Sequence, residues 1–256
     1  MKAVILAGGM GARLREETEF RPKPMVEIGG RPILWHIMKT LSTQGVNDFI
    51  ICLGYKGDHI KDFFVNYELR INDVTIKLGE NKGLVQHSEC GTENWTVTLA
   101  NTGASTMTGG RINKIKKYVS GERFLCTYGD GLANIDVSSL ISFHEKHGKT
   151  ATVTSVRPTN RFGAMQIDEN NSVTEFEEKP ISEERVNGGY FVFEPAIFDY
   201  LTDESIMEKE PLEKLSKLGE LKAYMHNGFW HPMDTYRETI ELNELWDANQ
   251  APWKIW

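Results

Sequence analysis

The first 24 residues place an apolar segment directly before a glycine-rich loop that is followed by two cations. Residues 3–7 are all apolar, and three glycines occupy positions within residues 8–11. Glycines after a buried strand let backbone amides approach a ligand closely, and a cluster of amides binds phosphate. Arg13 follows the glycines, and Lys23 stands between two prolines that restrict its backbone. The segment therefore predicts a strand that ends in a loop for an oligophosphate.

Two common phosphate-binding motifs fit this loop less well. The Walker motif requires Gly-Lys followed by Ser or Thr, and no such triplet follows Gly11 directly. The dinucleotide fingerprint G-x-G-x-x-G begins at Gly9 and Gly11 but has Leu14 in place of its third glycine. A dehydrogenase is therefore disfavoured.

Apolar runs alternate with helical patterns along all 256 residues, and no low-complexity linker interrupts them. This alternation predicts an α/β fold, with a single Rossmann-like, mostly parallel or mixed sheet flanked by helices and one domain over residues 1–256. The central strands are expected at Lys2–Ala7, Asp48–Leu53, Phe124–Tyr128, residues 150–156, residues 189–193 and Leu221–Met225.

Shorter patterns suggest elements outside the sheet. Residues 69–101 contain two alternating stretches, 74–78 and 95–99, which we interpret as strands of a small β insertion used in subunit contact. A homo-oligomer is expected for that reason. A second hairpin is expected from Ala164–Ile167 and Val173–Glu177, and a short basic helix over residues 111–119.

Composition excludes several functional classes. The net charge of −7 argues against a general nucleic-acid binder. The three cysteines are widely spaced and have no zinc-binding pattern; Cys52 and Cys126 lie in apolar runs and are expected to be buried. No apolar run approaches ~18 residues and no secretory leader precedes the first strand, so we expect no membrane span and a cytoplasmic location.

The N-terminal segment resembles the signature of the sugar nucleotidyltransferases, L-x-G-G-x-G-T-R-L-x-P-x-T-x-x-x-P-K-P. The chain matches it at Leu6, Gly8, Gly9, Gly11, Arg13, Leu14, Thr18, Pro22, Lys23 and Pro24. Ala12 replaces the usual threonine, which removes one hydroxyl donor, and Glu16 replaces the usual proline. The resemblance implies a nucleoside triphosphate at Leu6, Ala7, Gly8, Gly9, Gly11, Ala12, Arg13, Lys23 and Asp130. It also implies that Arg13 and Lys23 are the catalytic cations.

Two aspartates are candidate metal ligands. Asp130 follows a predicted strand in Tyr-Gly-Asp-Gly, and ligands of open α/β sheets bind beyond such strand ends. Asp234 precedes the last predicted helix, so helix capping is its alternative role. The family resemblance implies that Asp130 and Asp234 together hold Mg²⁺, which accepts one or two carboxylates plus phosphate oxygens. The neighbouring His231 is expected to be structural.

A second group of residues matches the sugar-phosphate site of the family. Glu178-Lys179-Pro180 would otherwise read as a surface turn. The resemblance implies that Lys179 holds the phosphate of a sugar 1-phosphate and that Glu178 holds sugar hydroxyls. Further sugar-pocket positions are implied at Gly131, Gly163, Asn187 and Gly188.

Residues 102–111 bear on the choice of base. Their pattern is similar to the branch of the family that uses CTP and glucose 1-phosphate. That similarity implies that Thr108, Gly109 and Gly110 lie beside the cytosine and Arg111 near the phosphates; the alternative is a polar loop that caps a helix. The expected products are CDP-glucose and pyrophosphate. Another base such as UTP or dTTP, another phosphorylated acceptor, and a non-catalytic nucleotide-sugar sensor remain open alternatives.

Overall fold

The computed structural model describes residues 1–11, 14–79, 82–87, 93–119, 121–160 and 162–256. Its strands are β1 (Lys2–Ala7), β2 (Glu27–Ile28), β3 (Arg31–Pro32), β4 (Asp48–Leu53), β5 (Asp73–Lys77), β6 (Gly83–His87), β7 (Thr96–Asn101), β8 (Phe124–Tyr128), β9 (Gly131–Ala133), β10 (Ala151–Val156), β11 (Ala164–Ile167), β12 (Val173–Glu177), β13 (Val186–Phe193), β14 (Leu221–Met225) and β15 (Trp230–Pro232). Its α-helices are α1 (Arg15–Thr18), α2 (Ile33–Thr43), α3 (Gly57–Val65), α4 (Tyr67–Ile71), α5 (Thr108–Lys114), α6 (Lys116–Val119), α7 (Val137–His147), α8 (Glu210–Lys217) and α9 (Tyr236–Asp247). Short 3-10 turns form at Lys23–Met25 and Pro195–Tyr200.

A seven-stranded sheet forms the centre of the molecule, in the order β14-β10-β13-β8-β1-β4-β7. All neighbouring pairs are parallel except those of β13, which is antiparallel to both β10 and β8. The expected α/β fold with a mostly parallel sheet is confirmed. The continuous apolar runs predicted these strands well because strands buried on both faces need no polar alternation.

The core lies on both faces of this sheet. Ala3 and Ile5 of β1 pack with α2 and α9 on one face, whereas Val4 and Leu6 pack with α5 and α8 on the other. Cys52 and Cys126 are buried on the second face, as expected; Cys90 lies outside the described residues. None of the helices in the described part of the chain is long and apolar enough to cross a bilayer.

The prediction for residues 69–101 was half correct. A hairpin does form, from β5 and β6, which pair antiparallel. The stretch 95–99 was wrongly assigned to it, because β7 pairs parallel to β4 at the edge of the central sheet. An edge strand has one half-covered face, so apolar and polar residues alternate along it as they do in a strand of a surface hairpin. The basic helix expected over 111–119 also differs: α5 begins at Thr108, and α6 follows it.

Candidate active site

Four parallel strands, β8, β1, β4 and β7, lie side by side and end at the same side of the sheet. Two cavities open beyond these carboxyl ends. The first, here called the loop cavity, has a volume of about 340 Å³ and is lined by the glycine loop after β1. The second, the outer cavity, measures about 950 Å³ and extends past β13 and β15 towards α9. The two cavities share three wall residues, Tyr128, Asp130 and Asp234.

The shared wall is built around a lysine and two carboxylates. Lys23 Nζ donates to Asp130 Oδ2 at 2.6 Å and to Asp234 Oδ1 at 2.5 Å. Only 8% of Lys23 is exposed. Burial acts to lower the pKa of this lysine, but the charges and hydrogen bonds of Asp130 and Asp234 outweigh it and raise the pKa above 10.5. Lys23 is therefore a fixed cation at the junction of the cavities.

A two-stranded ladder brings the two aspartates together. β9 follows Asp130 directly and pairs antiparallel with β15, which ends two residues before Asp234. The amide of Met233 donates to the carbonyl oxygen of Asp130 at 2.8 Å. These strands are only three residues long, so the sequence pattern did not reveal them.

The alternative role for Asp234, as the cap of the last helix, is excluded by the geometry. The N-cap of α9 is Thr235, which forms a capping box with Glu238. Glu238 Oε2 accepts hydrogen bonds from the amides of both Asp234 and Thr235. The capping box thus fixes the backbone of Asp234, while its carboxylate meets Lys23.

Arg111 packs against the glycine loop and hydrogen-bonds to it. Its guanidinium lies in a slot between Gly8 and Gly54, where a Cβ on either residue would come within 2.6 Å of it. The guanidinium donates to four carbonyls and one hydroxyl, those of Gly8, Leu53, Gly103, Ala104 and Thr102. Arg111 therefore ties together the ends of β1, β4 and β7.

The charge of Arg111 indicates what kind of ligand the loop cavity favours. The residue is only 4% exposed, and burial lowers the pKa of its guanidinium from the usual value. Within the described residues, no carboxylate pairs with it. A buried arginine that is hydrogen-bonded only to neutral groups contributes positive potential to the cavity floor, which favours an anion there.

Most of the predicted nucleotide-site residues meet at the loop cavity. Its lining includes Leu6, Ala7, Gly8, Gly9, Gly11, Lys23, Thr108, Arg111 and Asp130. Gly11 has a φ of +61°, and Thr18 fills the space where its Cβ would stand, so glycine is required there. Ala12 and Arg13 lie outside the described residues.

Two predicted residues, Gly109 and Gly110, are not part of the cavity wall. They sit in the first turn of α5, where a Cβ on Gly110 would lie 2.1 Å from the carbonyl oxygen of Asp203. Their small size serves close packing of this helix against residues 203–205. Thr106 and Met107, which the sequence reasoning missed, line the cavity instead.

The outer cavity collects part of the predicted sugar-phosphate set. Gly131, Lys179, Asn187 and Gly188 line it together with the two aspartates. Gly163 and Glu178 are absent from its lining. They lie against each other beside the β11–β12 hairpin, because a Cβ on Gly163 would stand 3.1 Å from Glu178 Oε2.

Several wall residues had no sequence signal. Tyr128 stands between the cavities, and its hydroxyl donates to the carboxylate of Glu208. Arg237 adds a second cation to the outer cavity, and Trp230 donates to the carbonyl of Gly188 at 2.8 Å. His231, which the sequence indicates to be structural, also lines this cavity, and its Nδ1 hydrogen-bonds the carbonyl of Pro232 at 2.7 Å.

The residues present fit a magnesium ion. Mg²⁺ prefers carboxylate oxygens, and it completes its shell with water and phosphate. The ammonium of Lys23 already occupies a position between Asp130 and Asp234, which shows that the two carboxylates converge on one small cation. The site has two protein ligands, because no metal-binding group of three or more His, Cys, Asp or Glu is found among the described residues; phosphate oxygens and water would supply the other ligands.

Comparison with known proteins agrees with this arrangement. A model of the nucleotidyl transferase family matches residues 2–249. The chain belongs to this family. This nucleotidyl transferase is 52% identical over 259 residues to the glucose-1-phosphate cytidylyltransferase of Salmonella typhi, with 100% of both chains covered. It is 46% identical to a probable glucose-1-phosphate cytidylyltransferase of Bacillus subtilis, again over 100% of both.

A solved structure extends the comparison to the fold. HddC from Yersinia pseudotuberculosis superimposes on this nucleotidyl transferase with a TM-score of 0.69 and 26% sequence identity. The alignment covers 96% of this chain and 99% of that one.

Proposed function

We propose that this nucleotidyl transferase joins CTP and glucose 1-phosphate to give CDP-glucose and pyrophosphate. The observation that carries the proposal is the pair of cavities that meet at Asp130 and Asp234, the two carboxylates that bind Lys23 of the loop cavity. A transferase of this kind needs one site for each substrate and a shared wall where the phosphates react. The full-length similarity to two cytidylyltransferases supports the choice of CTP and glucose 1-phosphate.

In this reaction, a phosphate oxygen of the sugar 1-phosphate attacks the α-phosphorus of CTP in line, and pyrophosphate leaves. The attacking oxygen is already ionised, so no general base is required. Catalysis then depends on positioning and on neutralising charge. Magnesium, held by Asp130 and Asp234, would neutralise charge on the α-phosphate and the attacking phosphate.

Cationic side chains of the protein would stabilise the remaining charge and orient the substrates. Lys23 would stabilise charge on the α-phosphoryl group and the leaving pyrophosphate, a role that we also propose for Arg13. Lys179 would orient the sugar phosphate from the wall of the outer cavity. Arg111 would hold the glycine loop in the shape that receives the triphosphate.

The test is a matrix of nucleoside triphosphates against sugar 1-phosphates, with pyrophosphate release as the readout. We expect the highest kcat/KM for CTP with glucose 1-phosphate, in the presence of Mg²⁺. A kcat/KM for UTP or dTTP that equals or exceeds that for CTP would overturn the base assignment. Absence of pyrophosphate release with every pair would favour a non-catalytic nucleotide-sugar sensor.

The expected homo-oligomer also remains a proposal. The β5–β6 hairpin exposes apolar side chains, among them Ile76 at 59% and Leu84 at 51%. Exposed apolar side chains grouped on one hairpin favour contact with another chain. Light scattering should give a mass above 29.1 kDa for the wild type, and Ile76→Lys with Leu84→Lys should lower it. A cytoplasmic location is proposed because the reaction consumes CTP.

A further inference from the structure

Lys23 occupies the position that a metal ion needs. Its ammonium nitrogen lies within hydrogen-bond distance of one oxygen from each aspartate, at 2.6 Å and 2.5 Å. A divalent cation held by the same two oxygens would lie between them as well, at the shorter Mg–O distance of about 2.0–2.1 Å. The ammonium and the metal therefore cannot occupy this position together.

The position of the lysine is well defined by its surroundings. The 3-10 turn at Lys23–Met25 and the flanking prolines restrict the backbone, and the side chain is only 10% exposed. Lys23 also lines the loop cavity, where a triphosphate would bring several negative charges. The side chain therefore has two possible sets of anionic partners, the aspartates and the phosphates.

We propose that Lys23 is an internal counter-ion of the two aspartates in the substrate-free protein, and that a divalent cation takes this position only when nucleotide phosphates accept the lysine. The inference rests on the proposed function for its nucleotide and its metal. Without phosphates, a divalent ion would face two carboxylates that a lysine has already neutralised in part. With phosphates, both cations have partners, so metal and nucleotide bind cooperatively.

The first experiment measures Mn²⁺ binding to the full chain without nucleotide, by equilibrium dialysis with electron paramagnetic resonance. Lys23→Met removes the ammonium and retains a side chain of similar length. We expect it to bind Mn²⁺ roughly 10- to 100-fold more tightly than the wild type, the usual range of a coupling between sites. Lys146→Met, which removes the same charge from an exposed position in α7, should bind Mn²⁺ like the wild type.

A second variant protects the test against misfolding. Lys23→Gln can still hydrogen-bond a carboxylate but carries no charge, and circular dichroism reports whether each variant is folded. Its Mn²⁺ affinity should also exceed that of the wild type, and Mn²⁺ should raise its melting temperature more. Wild-type or weaker Mn²⁺ affinity in the folded variants would overturn the inference.

The second experiment adds CTP and measures protein-bound Mn²⁺. CTP should strengthen Mn²⁺ binding to the wild type by a larger factor than to Lys23→Met, since only the wild type must release an ammonium. Equal factors would contradict the inference. The nucleotide-free experiment involves no turnover, so its failure would leave the proposed reaction standing. Conversely, an inactive protein whose Lys23 variants bind Mn²⁺ more tightly would remove only the proposed reaction.

Discussion

The amide of Met233 donates a 2.8 Å hydrogen bond to the carbonyl oxygen of Asp130. This bond continues the β9–β15 ladder by one step and places the two aspartates on either side of Lys23. The candidate metal ligands are therefore positioned by backbone pairing between distant parts of the chain. Because Thr235 caps α9, the carboxylate of Asp234 is not needed for the helix.

Replacing either aspartate by asparagine tests this arrangement. Asp130→Asn and Asp234→Asn should each lower Mg²⁺-dependent kcat by about 100-fold or more, since each removes one anionic ligand and leaves the shape intact. Far-ultraviolet circular dichroism should be unchanged. Turnover and melting temperature measured on the same samples separate a catalytic effect from a structural one.

Asp136 provides the matched control for helix capping. Its side chain accepts a hydrogen bond from the amide of Ser139 at the N-terminus of α7. Asp136→Ala should lose about 1 kcal/mol of unfolding free energy and keep its turnover. If Asp234→Asn behaved in the same way, the metal-ligand role would be wrong.

Arg111 should be required for stability as well as for activity. Arg111→Met removes a donor from four carbonyls. Those of Gly8 and Leu53 keep the amides of Tyr55 and Thr102 as donors, whereas those of Gly103 and Ala104 lose the donor that the described residues supply. A buried polar group that is left unpaired costs about 1–3 kcal/mol. We expect urea unfolding to show a loss of roughly 2–4 kcal/mol in the free energy of unfolding, because water will hydrogen-bond to some of these carbonyls. Arg111→Lys should recover only part of it, since an ammonium lacks the planar fork of the guanidinium.

Lys114 is the control for that measurement. It is exposed and donates to the carbonyl of Thr102 and to the hydroxyl of Thr106, in the same loop that Arg111 contacts. Lys114→Met should therefore cost less than about 1 kcal/mol, as exposed polar contacts usually do. Equal losses for the Arg111 and Lys114 variants would argue against the supporting role of Arg111.

The sequence predicted the parts of this molecule that depend on local pattern. Continuous apolar runs located β1 and β4 with the bounds that the structure has. The glycine loop and Lys23 were found from residue types alone, and the structure brings them to one cavity. The partners of Arg111 could not be predicted, because they are carbonyls whose positions depend on three separate strand ends. The β9–β15 ladder has too few residues to show any periodicity.

The packing of α5 gives a further example. Gly109 and Gly110 look like loop glycines in the sequence, but they allow a helix to approach residues 203–205. A glycine needed for close packing cannot be told from a glycine needed for ligand access by the sequence around it. The difference lies in the backbone that packs against the glycine, which here comes from a distant part of the chain.

Two adjacent glycines of the loop should respond differently to a methyl group. A Cβ on Gly9 would meet nothing within 4 Å, whereas a Cβ on Gly8 would lie 2.2 Å from the Arg111 guanidinium. Gly9→Ala should keep the wild-type melting temperature but weaken CTP binding by about tenfold, because the methyl enters the space of the ligand.

Gly8→Ala should instead destabilise the protein by about 1–3 kcal/mol, through displacement of Arg111. Melting curves and nucleotide titration distinguish the two outcomes. Unchanged CTP affinity in Gly9→Ala would mean that the triphosphate does not approach this part of the loop.

His36 should make the protein less stable in acid. Its ring is fully buried, Nε2 donates to the carbonyl of Ile28 at 2.8 Å, and Nδ1 accepts from the indole of Trp253 at 3.3 Å. This pattern requires the neutral ring, and burial lowers the pKa of His36 from 6.5 to about 4. The histidine binds a proton more readily in the unfolded chain, so protonation favours unfolding.

The sign and the pH window follow from these two pKa values. Well above pH 6.5 the ring of His36 is neutral in both states and destabilises nothing; as the pH falls from 6.5 towards 4, the unfolded chain gains the proton before the folded protein does. The loss of unfolding free energy reaches roughly 3 kcal/mol at about 1.4 kcal/mol per pH unit.

The variant His36→Gln tests this effect, because glutamine retains one donor and one acceptor but cannot titrate. Its unfolding free energy, measured by urea unfolding at each pH, should fall less between pH 7 and pH 4 than that of the wild type. The exposed His59→Gln should follow the wild-type curve, and an equally steep acid loss in His36→Gln would show that other groups cause it.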